Sequence, residues 1–234
     1  MLAFRAVLNL VLIATLTIFG SFVALGLRLF DATGDSVLRL ARWWSRTITK
    51  LAGVKITVEH RAHLDPQRSY VFMANHLSTV DIWAVFIAVP ASFRFIAKKQ
   101  LSFIPLFGWA MRAGRFIFID RGNALAARRS IDHAKDRIRA GASVLLFPEG
   151  TRSRDGALGP FKKGGFHLAI DAGAPVVPVA LRGTRELMPR GSLLLRPGPV
   201  SVIIGEPIPT EGLSPDDRNA LLDRVRVAIA DLLR

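Results

Sequence analysis

A histidine and an aspartate stand five residues apart in Asn75-His76-Leu77-Ser78-Thr79-Val80-Asp81. The pair follows an apolar run over residues 70–74 and precedes a segment over 80–88 with helical character. Strand ends are where α/β folds expose reactive groups. A histidine serves as a general base when a carboxylate holds its ring and fixes which nitrogen carries the proton. With residues 77–80 turning into a helix, Asp81 folds back on His76. Spacing alone leaves a second reading open, in which Asp81 merely favours the positive start of that helix.

A second cluster, Phe147-Pro148-Glu149-Gly150-Thr151-Arg152-Ser153-Arg154, also follows an apolar run. Gly150 permits close backbone approach, Thr151 and Ser153 offer hydroxyls, and Arg152 can grip a phosphate with two parallel hydrogen bonds. A glycine turn with solvated arginines fits the same letters. Between the two clusters, Gly114-Arg115-Phe116-Ile117-Phe118-Ile119-Asp120-Arg121 reads as a strand ending in an acid–base pair. There Arg121 is either another phosphate ligand or half of a strand-end salt bridge. The run Val176-Val177-Pro178-Val179-Ala180-Leu181 has no polar chemistry and is expected to wall a pocket.

Several other residues are set aside. Ser78 has no Gly-x-Ser-x-Gly elbow around it and is not read as a nucleophile. His60 and His63, three apart with Asp65 nearby, lack a second cluster to complete a metal site, so no metal is expected. His133 and His167 read as incidental. Phe161-Lys162-Lys163-Gly164-Gly165 is basic and glycine-rich, yet no Gly-Lys-Ser/Thr follows to make a nucleotide-binding loop. It remains able to touch an anionic donor.

The elements that must position these residues alternate. Strands are expected at 54–58, 70–74, 94–97, 116–119, 143–147, 176–181 and 200–204, and helices at 80–88, from 124 to a glycine cap at 141, and at 161–173. A last helix begins at Ser214 as N-cap and carries Leu221, Val225, Ile229 and Leu232 along one face. Such alternation predicts one α/β domain over residues 52–234, a mixed sheet flanked by helices.

Residues 1–51 form a separate membrane-anchoring helical pair in this reading. Residues 6–27 are 22 consecutive uncharged residues, and at about 1.5 Å per residue they span the roughly 30 Å hydrocarbon core. A cleaved signal peptide with Ala24-Leu25-Gly26 as its site is the competing reading. Arg28, Arg39, Arg42, Arg46 and Lys50 crowd the far side of the stretch, which places the catalytic domain on the cytoplasmic face of the inner membrane. Residues 36–51 set Val37, Leu40, Ala41, Trp44, Ile48 and Leu51 at helical spacing, a pattern suited to a helix in the lipid interface or to one packed on its own domain. The two adjacent tryptophans, Trp43 and Trp44, favour the interface.

Composition narrows the classes. The chain has 234 residues, half of them apolar, and a formal charge of +14. Its 15 Phe and 4 Trp are too many for a disordered polyelectrolyte. The charge points to an anionic partner: nucleic acid, an anionic membrane surface or a phosphorylated substrate. A non-enzymatic basic binding protein is the rival class, but no nucleic-acid reading motif is present and an oriented base has no use in one. With no cysteine in the chain, any acyl chemistry takes its sulfur from a substrate.

Four blocks in this order resemble the glycerolipid acyltransferases typified by bacterial 1-acyl-glycerol-3-phosphate (lysophosphatidate) acyltransferase. The His-x4-Asp block is similar to residues 75–81, the second block to Phe118-Ile119-Asp120-Arg121, the third to Phe147-Pro148-Glu149-Gly150-Thr151-Arg152, and the fourth to Val177-Pro178-Val179. The apolar stretch Leu101-Ser102-Phe103-Ile104-Pro105-Leu106-Phe107-Gly108-Trp109 resembles the one that often precedes the second block. One position departs: Arg115 stands where the family places glycine, six residues before Arg121, with Gly114 one earlier. The resemblance implies transfer of a fatty acyl group from acyl-CoA or acyl-carrier protein to the sn-2 hydroxyl of lysophosphatidate, without cofactor or covalent acyl-enzyme. Another lysolipid acceptor is the alternative within the class. It implies His76 as general base oriented by Asp81, and an acceptor site shaped by Arg121, Glu149, Gly150, Thr151 and Arg152. Arg121 and Arg152 would be the direct phosphate ligands and Glu149 a positioner.

Overall fold

The computed structural model describes residues 2–120 and 122–234. Two helices open the chain, α1 (Leu2–Leu27) and α2 (Asp35–Ala52), followed by β1 (Val54–His60), β2 (Val71–Ala74), α3 (Val80–Ala88) and β3 (Phe93–Lys98). A 3-10 turn (Lys99–Phe103) leads to α4 (Phe107–Ala113), β4 (Ile117–Ile119), α5 (Ala124–Arg139), β5 (Ser143–Leu146) and α6 (Gly164–Ala172). The chain continues with β6 (Val176–Arg182), α7 (Thr184–Leu187), β7 (Gly198–Ile204), a 3-10 turn (Pro215–Asp217) and α8 (Arg218–Leu232). The strands form one sheet in the order β1-β7-β6-β2-β5-β3-β4, parallel throughout except for the antiparallel pair β6–β7.

Near-continuous apolar runs of this kind belong to strands covered on both faces. Alternate residues of the sheet divide accordingly. Phe72, Ala74, Leu145, Phe93 and Val179 pack with α2 and α3, whereas Val71, Met73, Val144, Leu146 and Val176 pack with α5, α6 and α8. The fourth sequence block lies within β6, where Val177 and Val179 are fully buried between β2 and β7. It is core, and lines no part of the cavity described below.

One expected helix start moves. Helix α6 starts at Gly164 rather than 161, because the Lys162 N–H donates to the Pro148 carbonyl (2.8 Å) and Phe161 stacks on Phe166. A Cβ on Gly165 would lie 2.9 Å from Leu146 Cδ1, so glycine lets α6 close onto the sheet. The C-terminal helix is capped as its letters require: Ser214 and Asp217 form a reciprocal capping box.

Helix α1 is apolar nearly all round, with Ile13 and Leu16 packed on the core. Asn9, Gly20, Ser21 and Ala24 face the protein, while Val7, Leu8, Leu10, Val11, Ile18, Phe19 and Phe22 are exposed. The 21 residues Val7–Leu27 are long and apolar enough to cross a membrane. Helix α2 packs on the domain, with Leu38, Ile48 and Ala52 in the core, Trp44 edge-on to Trp83, and Trp43 and Leu51 exposed. Its buried stripe is therefore turned about one residue from the one its periodicity suggests. Arg42 also turns inward, donating to the carbonyls of Val89 (2.8 Å) and Ala91 (2.7 Å) at the C-terminal end of α3, where a cation meets the negative helix end.

Candidate active site

Strands β2, β5, β3 and β4 run parallel, so their C-terminal ends share one rim of the sheet. His76 follows β2, Phe147 to Arg152 follow β5, Lys98 ends β3 and Asp120 follows β4. The first and third sequence blocks are thereby neighbours although 73 residues separate His76 from Glu149.

The turn after β2 is built to hold His76. Asn75 continues the sheet with its side chain: its amide donates to the Leu181 carbonyl (3.0 Å) and its oxygen accepts from the Leu181 N–H (2.7 Å). Asp81, in the first turn of α3 and fully buried, folds back as the spacing predicts. One carboxylate oxygen, Oδ2, accepts from the backbone N–H groups of Leu77 and Ser78 and meets His76 Nδ1, each at 2.7 Å. A carboxylate partner keeps the proton on Nδ1 and leaves the Nε2 lone pair available. The ring lies flat against Phe147, centroids 4.0 Å apart and planes 10° from parallel. Its plane is thus fixed from two sides. Ser78 is no nucleophile, since its buried hydroxyl donates to the Met188 carbonyl (2.7 Å) and accepts from the Val80 N–H (3.1 Å).

Glu149 braces the two blocks. Its Oε1 accepts from the His76 N–H (2.8 Å) and its Oε2 from the Gly159 N–H (2.9 Å). Burial pushes its carboxyl above the usual range, against the pull of those two N–H donors. This carboxylate is turned away from the cavity, so Glu149 positions the site and does not line it. Gly150, Thr151 and Arg152 do line it, and Arg152 donates to the Thr79 hydroxyl (2.9 Å). Arg121 lies outside the described residues. Its neighbour Asp120 pairs with Lys99 at 3.0 Å. Arg115 holds the backbone that its family position reserves for glycine, at φ +58°, which for a side chain costs about 1–2 kcal/mol. Gly114 serves a different contact, because its backbone receives the close approach of Gly34, whose added Cβ would sit 3.0 Å away.

From His76 a cavity of about 640 Å³ runs between the sheet and the N-terminal helices. Ile13, Gly20 and Ala24 of α1, Leu40 and Trp44 of α2, Phe86 of α3 and Met111 of α4 give it an apolar wall. Its polar lining includes His76, Thr79, Arg152, Lys98 and Arg190. Lys98 and Arg190 escaped the sequence reading, as did Phe147 as a ring partner. Arg190 belongs to the loop between α7 and β7 and donates to the Arg152 carbonyl (3.0 Å). The Ser78–Met188 bond ties the same loop to the turn that carries His76. Asn9 of α1 reaches it too, donating to the Leu195 carbonyl at 3.2 Å. His60 and His63 are exposed at and beyond the end of β1, and His167 accepts from Arg218.

A carboxylate-oriented histidine in a largely apolar cavity that also holds cations suits a substrate with a long chain and an anionic head. Comparisons with known proteins agree with this. The acyltransferase family model matches residues 55–182. The chain is 33% identical over 200 residues to human 1-acyl-sn-glycerol-3-phosphate acyltransferase alpha, covering 84% of this chain and 70% of the relative. It is 35% identical over 205 residues to a 1-acyl-sn-glycerol-3-phosphate acyltransferase of Chlamydomonas reinhardtii, covering 85% of this chain and 60% of the other. The crystal structure of the 1-acyl-sn-glycerophosphate acyltransferase PlsC from Thermotoga maritima superposes with a TM-score of 0.81 at 29% identity, over 99% of this chain and 98% of that one. These likenesses span the sheet, the four blocks and the N-terminal helices, and the chain belongs to the acyltransferase family.

Proposed function

We propose that this acyltransferase moves a fatty acyl group from a thioester donor, acyl-CoA or acyl-carrier protein, to the sn-2 hydroxyl of 1-acyl-glycerol-3-phosphate, giving phosphatidate. The observation that carries this reading is the position of His76 in the wall of one cavity whose lining is largely apolar, fit for an alkyl chain, and includes three cations, Arg152, Arg190 and Lys98, fit for a phosphomonoester. His76 Nε2 takes the hydroxyl proton as the oxygen attacks the thioester carbonyl, and the collapsing adduct expels the thiolate, which recovers a proton from the imidazolium. Asp81 holds the ring and stabilises its cationic form. Arg152, Lys98 and Arg190 receive the phosphate, with Thr151 and Gly150 beside them. The relatives' shared acceptor supports the choice of lysophosphatidate.

The same reading puts the protein at a membrane. Helix α1 leaves Val7, Leu8, Leu10, Val11, Ile18, Phe19 and Phe22 exposed while Asn9, Gly20, Ser21 and Ala24 turn inward, an apolar outer surface suited to lipid rather than to water. Trp43 and Leu51 of α2 add to that surface, and the excess of arginine and lysine after α1 favours the cytoplasmic face of the inner membrane.

An acceptor panel tests the function. The purified protein in lipid, given one labelled acyl thioester, is expected to convert lysophosphatidate to phosphatidate at least tenfold faster than it acylates lysophosphatidylcholine or an acylated amino acid. Equal rates on a zwitterionic lysolipid would overturn the choice of acceptor.

A further inference from the structure

We propose that the knuckle formed by residues 103–106, between the 3-10 turn and α4, dips into the bilayer beside α1, so that the catalytic domain has a lipid contact of its own. Its occupant is a lipid bilayer with anionic head groups. The inference rests on the membrane placement proposed above and goes beyond it, since no N-terminal helix residue takes part.

Water is a poor environment for this segment. Phe103 is 67% exposed, Ile104 45% and Trp109 52%, with Pro105 exposed between them. Apolar side chains clustered in so few residues mark an interaction surface more than ordinary surface scatter. The backbone is held in a costly shape to present them. Leu106 sits at φ 62°, ψ −59°, and the Phe107 N–H donates to the Pro105 carbonyl at 2.7 Å. That is the rarer, strained form of three-residue turn, which persists only where its surroundings enforce it. They do so here: the Gly108 N–H donates to the Ile104 carbonyl (2.8 Å), and a Cβ on Gly108 would come within 2.5 Å of the Ser102 carbonyl oxygen.

The knuckle is also continuous with α1. Helix α4 packs on α1 through Ala24, Ala110 and Ala113, small residues that let the two helices close up. Lys99 and Arg112, both exposed, flank the knuckle on either side in sequence. Cations bordering an apolar tip match anionic head groups over an acyl layer. On the inner side of the same segment, Leu101 and Phe107 line the apolar cavity. One short stretch thus separates the space for a bound chain from the lipid from which such chains come.

Because the chain has no cysteine, single labels can be placed without background. Phe103→Cys, Phe22→Cys and Val227→Cys would each be coupled to a polarity-sensitive fluorophore and bound to vesicles of phosphatidylcholine with phosphatidylglycerol, with and without nitroxide-bearing lipid. Phe22 is an exposed α1 residue, and Val227 is exposed on α8, beyond the opposite face of the sheet. The labels at 103 and 22 are expected to shift to the blue and be quenched several-fold more than the label at 227, and Ile104→Cys should repeat the result at 103. A label at 103 as aqueous as that at 227, with the label at 22 in lipid, would overturn this proposal and leave the membrane reading standing. Labels at 22 and 103 both in water would remove both. Neither outcome depends on acyl transfer.

Discussion

The two faces of the sheet are built to different ends. Beneath α5, α6 and α8 the space is filled: Phe166, Leu168, Leu221, Val225 and Ile229 are each at most 1% exposed and interlock with Val71, Met73 and Val144. Beneath α1, α2 and α4 the helices stand away and leave about 640 Å³ beside His76. Close packing is the rule of protein interiors, and voids larger than a water are few. A hollow of this size suits the substrate site proposed above, and the filled face gives the strand ends beside it a packed support.

Perturbations should sort by face. Loss of the base comes first: His76→Ala is expected to lower kcat by about 10²–10⁴-fold with thermal unfolding little changed, and a folded variant of full activity would sink the assigned role. On the filled face, Phe166→Ala should cost about 3–5 kcal/mol in denaturant unfolding, whatever the donor. Glu149→Gln, at the seam between blocks, replaces one carboxylate oxygen by a group that cannot accept, leaving a buried N–H unpaired at about 1–3 kcal/mol. The raised carboxyl of the wild type is neutral at low pH, where its contribution to stability is complete, and loses ground as pH rises through its folded pKa. The gap between wild type and Glu149→Gln should therefore be widest in acid and narrow on the way to neutral pH; a pH-independent gap would contradict the cause given for the shift. On the hollow face, Gly20→Phe points into open space. It should abolish activity on long-chain thioesters and spare short ones, while stability holds or rises, since a helical glycine costs about 0.5–1 kcal/mol. If Gly20→Phe destabilises as Phe166→Ala does, the two faces are not distinct.

Much of the site could be read from letters because its parts are local. His76 and Asp81 share one turn and one helix start, and five residues of spacing suffice to bring them together. Asn75 is visible in the letters only as a neighbour; its pair of hydrogen bonds with Leu181 depends on β6 lying next to β2. Lys98, Phe147 and Arg190 are illegible as a set for the same reason, since only the strand order brings the end of β3 and the loop after α7 to the one cavity that His76 lines. Phe147 does stand immediately after β5, and an aromatic at a strand end beside a candidate block is the signal that was present. Periodicity found helix α2 but not the direction it faces, because Arg42 is spent on the end of α3, a contact that no repeat of apolar residues foretells. Arg115 was marked by its departure from glycine, and φ +58° gives that departure its physical content.

The bond from Asn9 to Leu195 joins residues 186 positions apart, and β1 waits for β7 across a comparable length of chain. At about 5–20 residues per second of synthesis, α1 leaves the ribosome about 10–40 s before its partner loop exists. For that interval α1 has α2, and then α4, to pack against, but not the loop that Asn9 will meet. On the membrane placement proposed above, lipid would receive α1 first, and the contact of Asn9 with the loop after α7 would form last, with the arrival of the chain's own C-terminal third.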